Sequence, residues 1–444
     1  MKQNSLSRSA SFLALFLLGF STSCESKISP QKTPETTPGK PLLSTIVPCE
    51  EGLFLCRGTC LPVGSCSVRE VAFLDSKKIF ISEFDENDKQ QKRGLGGFSV
   101  LDFDRDGNMD MIFATGSGSN QNNVGYRVSV IRGLGNLDFD ATHPIDLLID
   151  PPGGNLGFTH LFVSDLNGDS YSDIVVRQQI FPAPNTNDQL RSVVHVIFTG
   201  PGQSTKKIQI ASDYTESVDR IFAPADIDGN GALDIPIITS GQKNLRVILL
   251  SKEDNILGLT SPIGYDPLSD GDIVLADTDG DNKAEVLVPH REGPVTKYSW
   301  SGSWFKETAK IKSEDQNITS LDVPGFFVRD VNLDGLNDIL ADFSFVNLGN
   351  GFFQKMGKFE TSNTPQFIDM DGDGNLDIWA RSSFGRGNGF GLFETPFGID
   401  IASGGQPVGL AGDFNGDGAP DVVTLLGPSP DIGIFENIGK PILK

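Results

Sequence analysis

Positive charge is in short supply in this chain of 444 residues: 36 Lys and Arg stand against 58 Asp and Glu, for a formal net charge of −22. Such a balance repels phosphate, which excludes nucleic acid and a bare anionic lipid surface as partners, and it attracts cations. Histidine is scarce, at four, and the signatures G-x-S-x-G, H-E-x-x-H and the P-loop are absent. The apolar run from Phe12 to Phe20 is too short to cross about 30 Å of hydrocarbon, which takes about 20 helical residues. Cysteine numbers five, and an odd count in an exported chain demands a separate role for one of them. Glycine, by contrast, is plentiful at 50, and mean hydropathy is −0.15, as suits a soluble chain with many tight turns.

Residues 1–23 read as a signal peptide: Lys2 and Arg8 without an acid, the apolar run, then Ser21, Thr22 and Ser23. Cys24, which follows, resembles the lipidated cysteine of the bacterial lipobox, with Ser21 where that pattern prefers Leu. The resemblance implies a bacterial outer-membrane or cell-surface lipoprotein, otherwise a secreted or periplasmic protein, that meets membrane only through a lipid anchor at Cys24. Residues 24–48, rich in Pro, Thr and Lys, read as an extended tether. Within 49–66, Cys49, Cys56, Cys60 and Cys66 suggest two disulfides stapling a segment too small to bury a core, with three pairings open. A four-thiolate zinc site is the rival, and the short C-x2-C spacing it favours is missing.

From residue 95 onward one nine-residue pattern recurs seven times, with side-chain oxygens at positions 1, 3, 5 and 9 of every copy. These are Asp102, Asp104, Asp106 and Asp110; Asp165, Asn167, Asp169 and Asp173; Asp226, Asp228, Asn230 and Asp234; Asp277, Asp279, Asp281 and Glu285. The last three copies hold Asp330, Asn332, Asp334 and Asp338; Asp369, Asp371, Asp373 and Asp377; and Asp413, Asn415, Asp417 and Asp421. Carboxylates spaced this way on a tight loop point inward, and a hard cation that takes six to eight oxygens at about 2.3–2.6 Å suits the cage. Calcium at about seven sites is the expectation, with a backbone carbonyl at variable position 7 and water completing each shell. Without a cation, carboxylates about 4 Å apart would repel by about 1–4 kcal/mol per pair, repeated seven times. Position 6 is Gly in five copies, where a sharp turn favours positive φ; Ser170 and Asn282 are the exceptions, which predicts weaker binding in those two loops.

An EF-hand also opens D-x-D-x-D-G, but it needs a Glu at position 12 and flanking helices. Position 12 is Phe113, Val176, Ile237, Val288, Ala341, Ala380 and Thr424, and short apolar runs flank each loop, so the loop joins two buried strands. First aspartates lie 63, 61, 51, 53, 39 and 44 residues apart, room for one four-stranded antiparallel blade per copy. The expected fold is all-β: a seven-bladed β-propeller over 69–444 with a calcium loop in each blade. The segment around Ile79, which has no aspartate loop of its own, is expected to complete blade seven and remove the ring's open edges.

In these loops, above all LAGDFNGDGAPDVVTLL (410–426) and FIDMDGDGNLDIWA (367–380), the chain resembles the FG-GAP/VCBS repeat family, whose members include the propellers of integrin α subunits. The regular Phe-Gly and Gly-Ala-Pro strings of the integrin repeats are missing, so the bacterial VCBS type is the nearer relative. The resemblance implies adhesion or ligand binding at a cell surface, through a surface protein or a glycan, without catalysis. A polysaccharide lyase-like enzyme on the same architecture is the alternative; it would cluster Lys, Arg, His or Tyr at one mouth of the ring. His143, His160, His195 and His290 are scattered, with His195 read as structural and His290-Arg291 as a solvated loop. Tyr298, Trp300 and Trp304 read as aromatics that pack between blades, with a sugar- or protein-binding surface as the alternative, and Phe384 to Gly391 as a loop. Positions 1, 3, 5 and 9 hold 24 carboxylates, and without them the balance of −22 would be +2. The acidity therefore belongs to the loops.

Overall fold

The computed structural model describes residues 53–443 except 57–58, 63–66, 70, 72, 81–92, 118–126, 150–154, 182–190, 211–217, 240–243, 265–272, 291–293, 314–315, 318–325, 342, 350–351, 360–364, 381–382, 399–408, 427–430 and 440. The signal-peptide and tether expectations, with Cys24, lie outside the described residues. Of the segment 49–66, Leu53–Cys56 and Thr59–Pro62 form an antiparallel hairpin. Cys60 is disulfide-bonded, and the side chains of Cys49, Cys56 and Cys66 lie outside those described.

Seven sheets follow, each with a frame of four antiparallel strands, which are consecutive in the chain in blades one to six. Blade one runs Arg93–Leu101, Asp110–Ser117, Arg127–Ile131, Ile145–Ile149, and blade two Asn155–Ser164, Asp173–Phe181, Arg191–Gly200, Ser204–Ile210. Blade three comprises Val218–Ile221, Ile235–Thr239, Asn244–Leu250, Ile256–Leu259, and blade four Val274–Ala276, Glu285–Val288, Thr296–Trp300, Phe305–Lys310. Blade five contains Phe327–Arg329, Asp338–Leu340, Phe343–Asn347, Phe352–Lys358, widened by Lys312–Ser313 and Gln316–Asn317. Blade six is Gln366–Ile368, Asp377–Ala380, Ser383–Gly385, Phe397–Gly398. Among the described residues there is no α-helix, only a 3-10 turn at Pro201–Gln203.

Blade seven is assembled from both ends of the propeller chain. Gly409–Gly412, Asp421–Leu426 and Asp431–Asn437 supply three strands, and Phe73–Phe80 the fourth, in register Ile432 to Ile79. The closure expected from the Ile79 segment is thus present, and the outer edge of Asp431–Asn437 is paired. Beyond it, Pro441–Leu443 pairs with Ser67–Arg69 as a separate two-stranded clasp rather than extending the blade.

The second strand of each blade explains why the sequence shows continuous apolar runs instead of alternation. In blade one, Met111 and Phe113 pack toward blade seven, whereas Ile112 and Ala114 pack toward blade two. Both faces are buried, so both must be apolar. Seven hydrophobic clusters fill the seven seams in cyclic order, the last joining Phe414, Val423, Ile432 and Ile434 of blade seven to Met111, Phe113 and Ile131 of blade one. First strands of blades one and two, four and five, six and seven, and seven and one touch, the last of these closing the ring.

Phe414 is 3% exposed in that closing seam, its ring 6.0 Å from Phe139. Phe414→Ala is expected to cost about 3–5 kcal/mol of unfolding free energy, the usual range for a buried aromatic truncation. Chemical denaturation checks it, and a loss below about 1 kcal/mol would contradict a packed closing seam.

Candidate metal centre

Each aspartate loop connects the first strand of a blade to the second, and position 9 stands where the second strand begins. Its carboxylate joins three pieces of backbone. One oxygen accepts the position 2 N–H in all seven loops, at 2.6–3.0 Å. The other oxygen accepts, in six blades, an N–H at or just beyond the end of the third strand: Gly133, Thr199, Leu250, Asn347, Gly387 or Asn437, at 2.6–2.9 Å. Position 1 accepts the position 6 N–H at 2.7–3.0 Å, and position 5 accepts the position 7 N–H at 2.7–2.9 Å, in every copy.

The backbone must reverse sharply to allow this. Position 6 has positive φ in all seven loops, with Ser170 at 71° and Asn282 at 64° adopting it as the glycines do. Position 4 does the same throughout: Arg105, Gly168, Gly229, Gly280, Leu333, Gly372 and Gly416. That second left-handed position was not anticipated. The signal was present, since five of the seven are Gly, and no loop lacks Gly at both positions. Arg105 has a compensating contact, its guanidinium 4.9 Å from the Tyr171 ring of the next loop.

Position 2 anchors each loop in a seam. Phe103, Leu166, Ile227, Val331, Met370 and Phe414 belong to the clusters between their own blade and the next; the seventh, Thr278, is 1% exposed and polar. Neighbouring loops also bond directly, through Leu233 N–H to Leu166 O at 2.7 Å, Ala284 N–H to Asp226 O at 2.6 Å and Asn337 Nδ2 to Asp277 O at 2.9 Å.

Four loops bring carboxylates from positions 1, 3 and 9 within 4.8 Å of one another: Asp102, Asp104 and Asp110; Asp226, Asp228 and Asp234; Asp277, Asp279 and Glu285; Asp369, Asp371 and Asp377. Such groups can hold a metal ion. The other three loops carry Asn at position 3, namely Asn167, Asn332 and Asn415, an amide oxygen in place of a carboxylate. Loop six is the most enclosed. Asp371 is 0% and Asp373 1% exposed, and Arg386 Nε donates to Asp371 Oδ2 at 2.9 Å. Asp373 Oδ2 is buried with no hydrogen-bond partner, as is Asp104 Oδ1 in loop one. A desolvated carboxylate oxygen without a donor is costly, and a cation would satisfy it.

Burial, opposed by the two backbone hydrogen bonds and reinforced by neighbouring carboxylates, pushes Asp110 and Asp421 up to about 6 and Asp173, Asp234 and Asp338 to about 7. Burial and then Asp371 push Asp377 to about 8.

Elsewhere, His195 Nε2 bonds Gln178 Oε1 at 2.7 Å within the blade-two sheet, consistent with a structural residue. His290 Nε2 bonds Thr296 Oγ1 at 2.9 Å, and Arg291 lies outside the described residues. The aromatic group of blade four divides: Tyr298 and Trp300 pack against the seam with blade three, whereas Trp304 is 59% exposed at the hairpin tip. For Trp304 the packing reading is therefore corrected, because the turn from Ser301 carries it past the end of the sheet.

No protein-family model matches the chain, and no curated protein matches it. Among solved structures, the BBS1N chain crystallised in complex with ARL6DN and soaked with lead is similar at TM-score 0.43 and 9% identity, over 83% of this chain and 97% of that one. The Trypanosoma rangeli sialidase in complex with the inhibitor DANA is similar at TM-score 0.37 and 9% identity, over 83% of this chain and 59% of that one. Likeness at this level carries neither family nor function. Strand pairing and seam packing define the class of protein: a seven-bladed β-propeller with an acidic loop in every blade.

Two outcomes follow from the loop geometry. Leu333 holds φ 59° at position 4 while 58% exposed, so Leu333→Gly is expected to stabilise the fold by about 1 kcal/mol, the relief of a left-handed L-residue less glycine's entropy. A lowered denaturation midpoint would contradict it. The buried carboxylates bind protons more tightly in the folded state than at their ordinary value of 3.8, so their contribution to stability worsens as pH rises from about 4 through about 8. Metal-free protein should therefore melt lower at pH 8 than at pH 5. A saturating divalent cation, which needs ionised carboxylates, should raise the melting temperature more at pH 8 than at pH 5; an equal increment at both would refute the assignment.

Proposed function

We propose that this chain is an exported propeller of the FG-GAP/VCBS kind, stabilised by calcium in its blade loops, that serves as a cell-surface binding or adhesion module without catalysis. The observation that carries the calcium part is loop six. Four carboxylates, from Asp369, Asp371, Asp373 and Asp377, share one loop, and a buried oxygen of Asp373 lacks a partner. Hard oxygen donors with a loop backbone able to supply a carbonyl suit calcium better than zinc or copper, which favour nitrogen and sulfur. Bound there, calcium would neutralise the carboxylates and lock the seam that position 2 anchors; Asp369, Asp371, Asp373 and Asp377 would hold it.

The binding role rests on the loop resemblance and on the architecture, which presents its loops from a rigid ring. The ligand would be a surface protein or a glycan, and Cys24 would tether the ring to the membrane.

One pair of melting curves tests the metal part. In calcium, Asp373→Asn should melt lower than the unaltered protein, because a ligand charge is lost. After chelation it should melt higher, because an unpaired buried charge is gone. Calcium at 100 times its dissociation constant adds about 2.7 kcal/mol per site, so over several loops the unaltered protein should gain on the order of 10 °C. The same ranking of the two proteins with and without calcium would overturn the assignment. Binding of the mature chain to a glycan array or to intact cells, lost on chelation, tests the adhesion part.

A further inference from the structure

Blade four departs from the repeat at three positions, and the three side chains touch. Position 2, apolar in the other six loops, is Thr278; position 9, Asp in the other six, is Glu285; and the third strand carries Lys297. Lys297 pairs with Leu287, the second residue after position 9. The corresponding residues of the other blades are Val130, Val196, Val247, Ser344, Phe384 and Ile434, five of them members of seam cores. A lysine at such a position is only 7% exposed and must deliver its charge to a partner.

Its partners are the loop's own carboxylates. Lys297 Nζ lies 2.7 Å from Asp279 Oδ2 and 2.7 Å from Glu285 Oε1, with Thr278 Oγ1 at 3.3 Å. Thr278 in turn donates N–H and Oγ1–H to Glu285 Oε2, at 3.0 and 2.8 Å. Glu285 Oε1 is the oxygen whose counterpart in the other six blades accepts a backbone N–H at the close of the third strand. The extra methylene of Glu carries it to the ammonium. Burial disfavours the charge on Lys297, but hydrogen bonds to Asp279 and Glu285 outweigh that and hold the ammonium protonated, while Asp279 lies below its usual range under the influence of Lys297 despite burial. Loop six differs: Arg386 holds Asp371 there, Asp377 takes the N–H groups of Met370 and Gly387, and Asp373 Oδ2 stays unpartnered.

A divalent ion ligated by positions 3 and 9 of loop four would sit against an ammonium already bonded to both. Two cations cannot share those oxygens without strong repulsion. We infer that loop four carries its own cation: the Lys297 ammonium takes the place that calcium takes elsewhere, so blade four stays free of divalent metal and the ring loads at most six ions. This rests on the reading of the other loops as calcium sites, and it revises the expectation of about seven.

Calcium counted by native mass spectrometry and by elemental analysis of the dialysed protein decides the matter. Lys297→Met, which keeps the buried stem, should bind one ion more than the unaltered protein. Asp279→Asn should leave the count unchanged, whereas Asp371→Asn in loop six should lose one. Equal counts for the unaltered protein and Lys297→Met, or one ion lost on Asp279→Asn, would overturn this inference while the calcium reading of the other loops stands. Should Lys297→Met fail to fold, the Asp279→Asn count decides by itself, with an unchanged count in favour and one ion lost against. Zero calcium in every variant would overturn the calcium reading and this inference together.

Discussion

The position 9 carboxylate is the group on which the other contacts of each blade are built. By accepting the position 2 N–H with one oxygen and, in six blades, an N–H at the close of the third strand with the other, it ties loop, second strand and third strand into one unit. The position 2 side chain that it fixes is the plug of the next seam in six of seven blades. Loop geometry and ring packing are therefore one constraint. The cost is a buried acid in every blade, drawn close to the carboxylates of positions 1 and 3 in four of them. Burial raises the proton affinity of these groups, which shows how far hydrogen bonds alone fall short of neutralising them.

The blades answer that charge in different ways. Loop six has an arginine on Asp371 and still leaves a buried oxygen of Asp373 bare. Loop four has drawn a lysine through what is an apolar seam position in five other blades, and its Thr278 and Glu285 complete a polar cluster in place of a plug. Four loops have replaced one acid by Asn, at position 3 in three of them and at position 5, Asn230, in the fourth, which lowers the charge while keeping an oxygen. Each solution is a different balance between desolvation and counter-charge, on a backbone that barely changes.

Much of this was legible in the sequence. The seven loops, the buried strands after them and the blade count follow from the spacing of Asp102, Asp165, Asp226, Asp277, Asp330, Asp369 and Asp413, and the closing strand at Ile79 followed from its lack of a loop. Other features were hidden because they are relations in space. The positive φ of Leu333 and Arg105 is masked by their side chains, although the five glycines at the same position hinted at it. The double duty of position 9 could not be seen, since its second partner lies 9–26 residues away at or just beyond the end of the third strand. Nothing in the sequence around Lys297 marks it, and only pairing with Leu287 shows that it stands where a seam residue belongs. Glu285, the one position 9 that is not Asp, was the visible trace of that substitution.

The loops are either cation cages or turns that happen to be acidic. An anomalous-difference map from crystals grown with calcium answers that at the level of single atoms. A peak is expected about 2.3–2.6 Å from oxygens of Asp369, Asp371, Asp373 and Asp377 in loop six, and none in loop four, where the Lys297 ammonium stands. A map with no peak in any loop, at calcium concentrations that saturate ordinary extracellular sites, would contradict the cage reading.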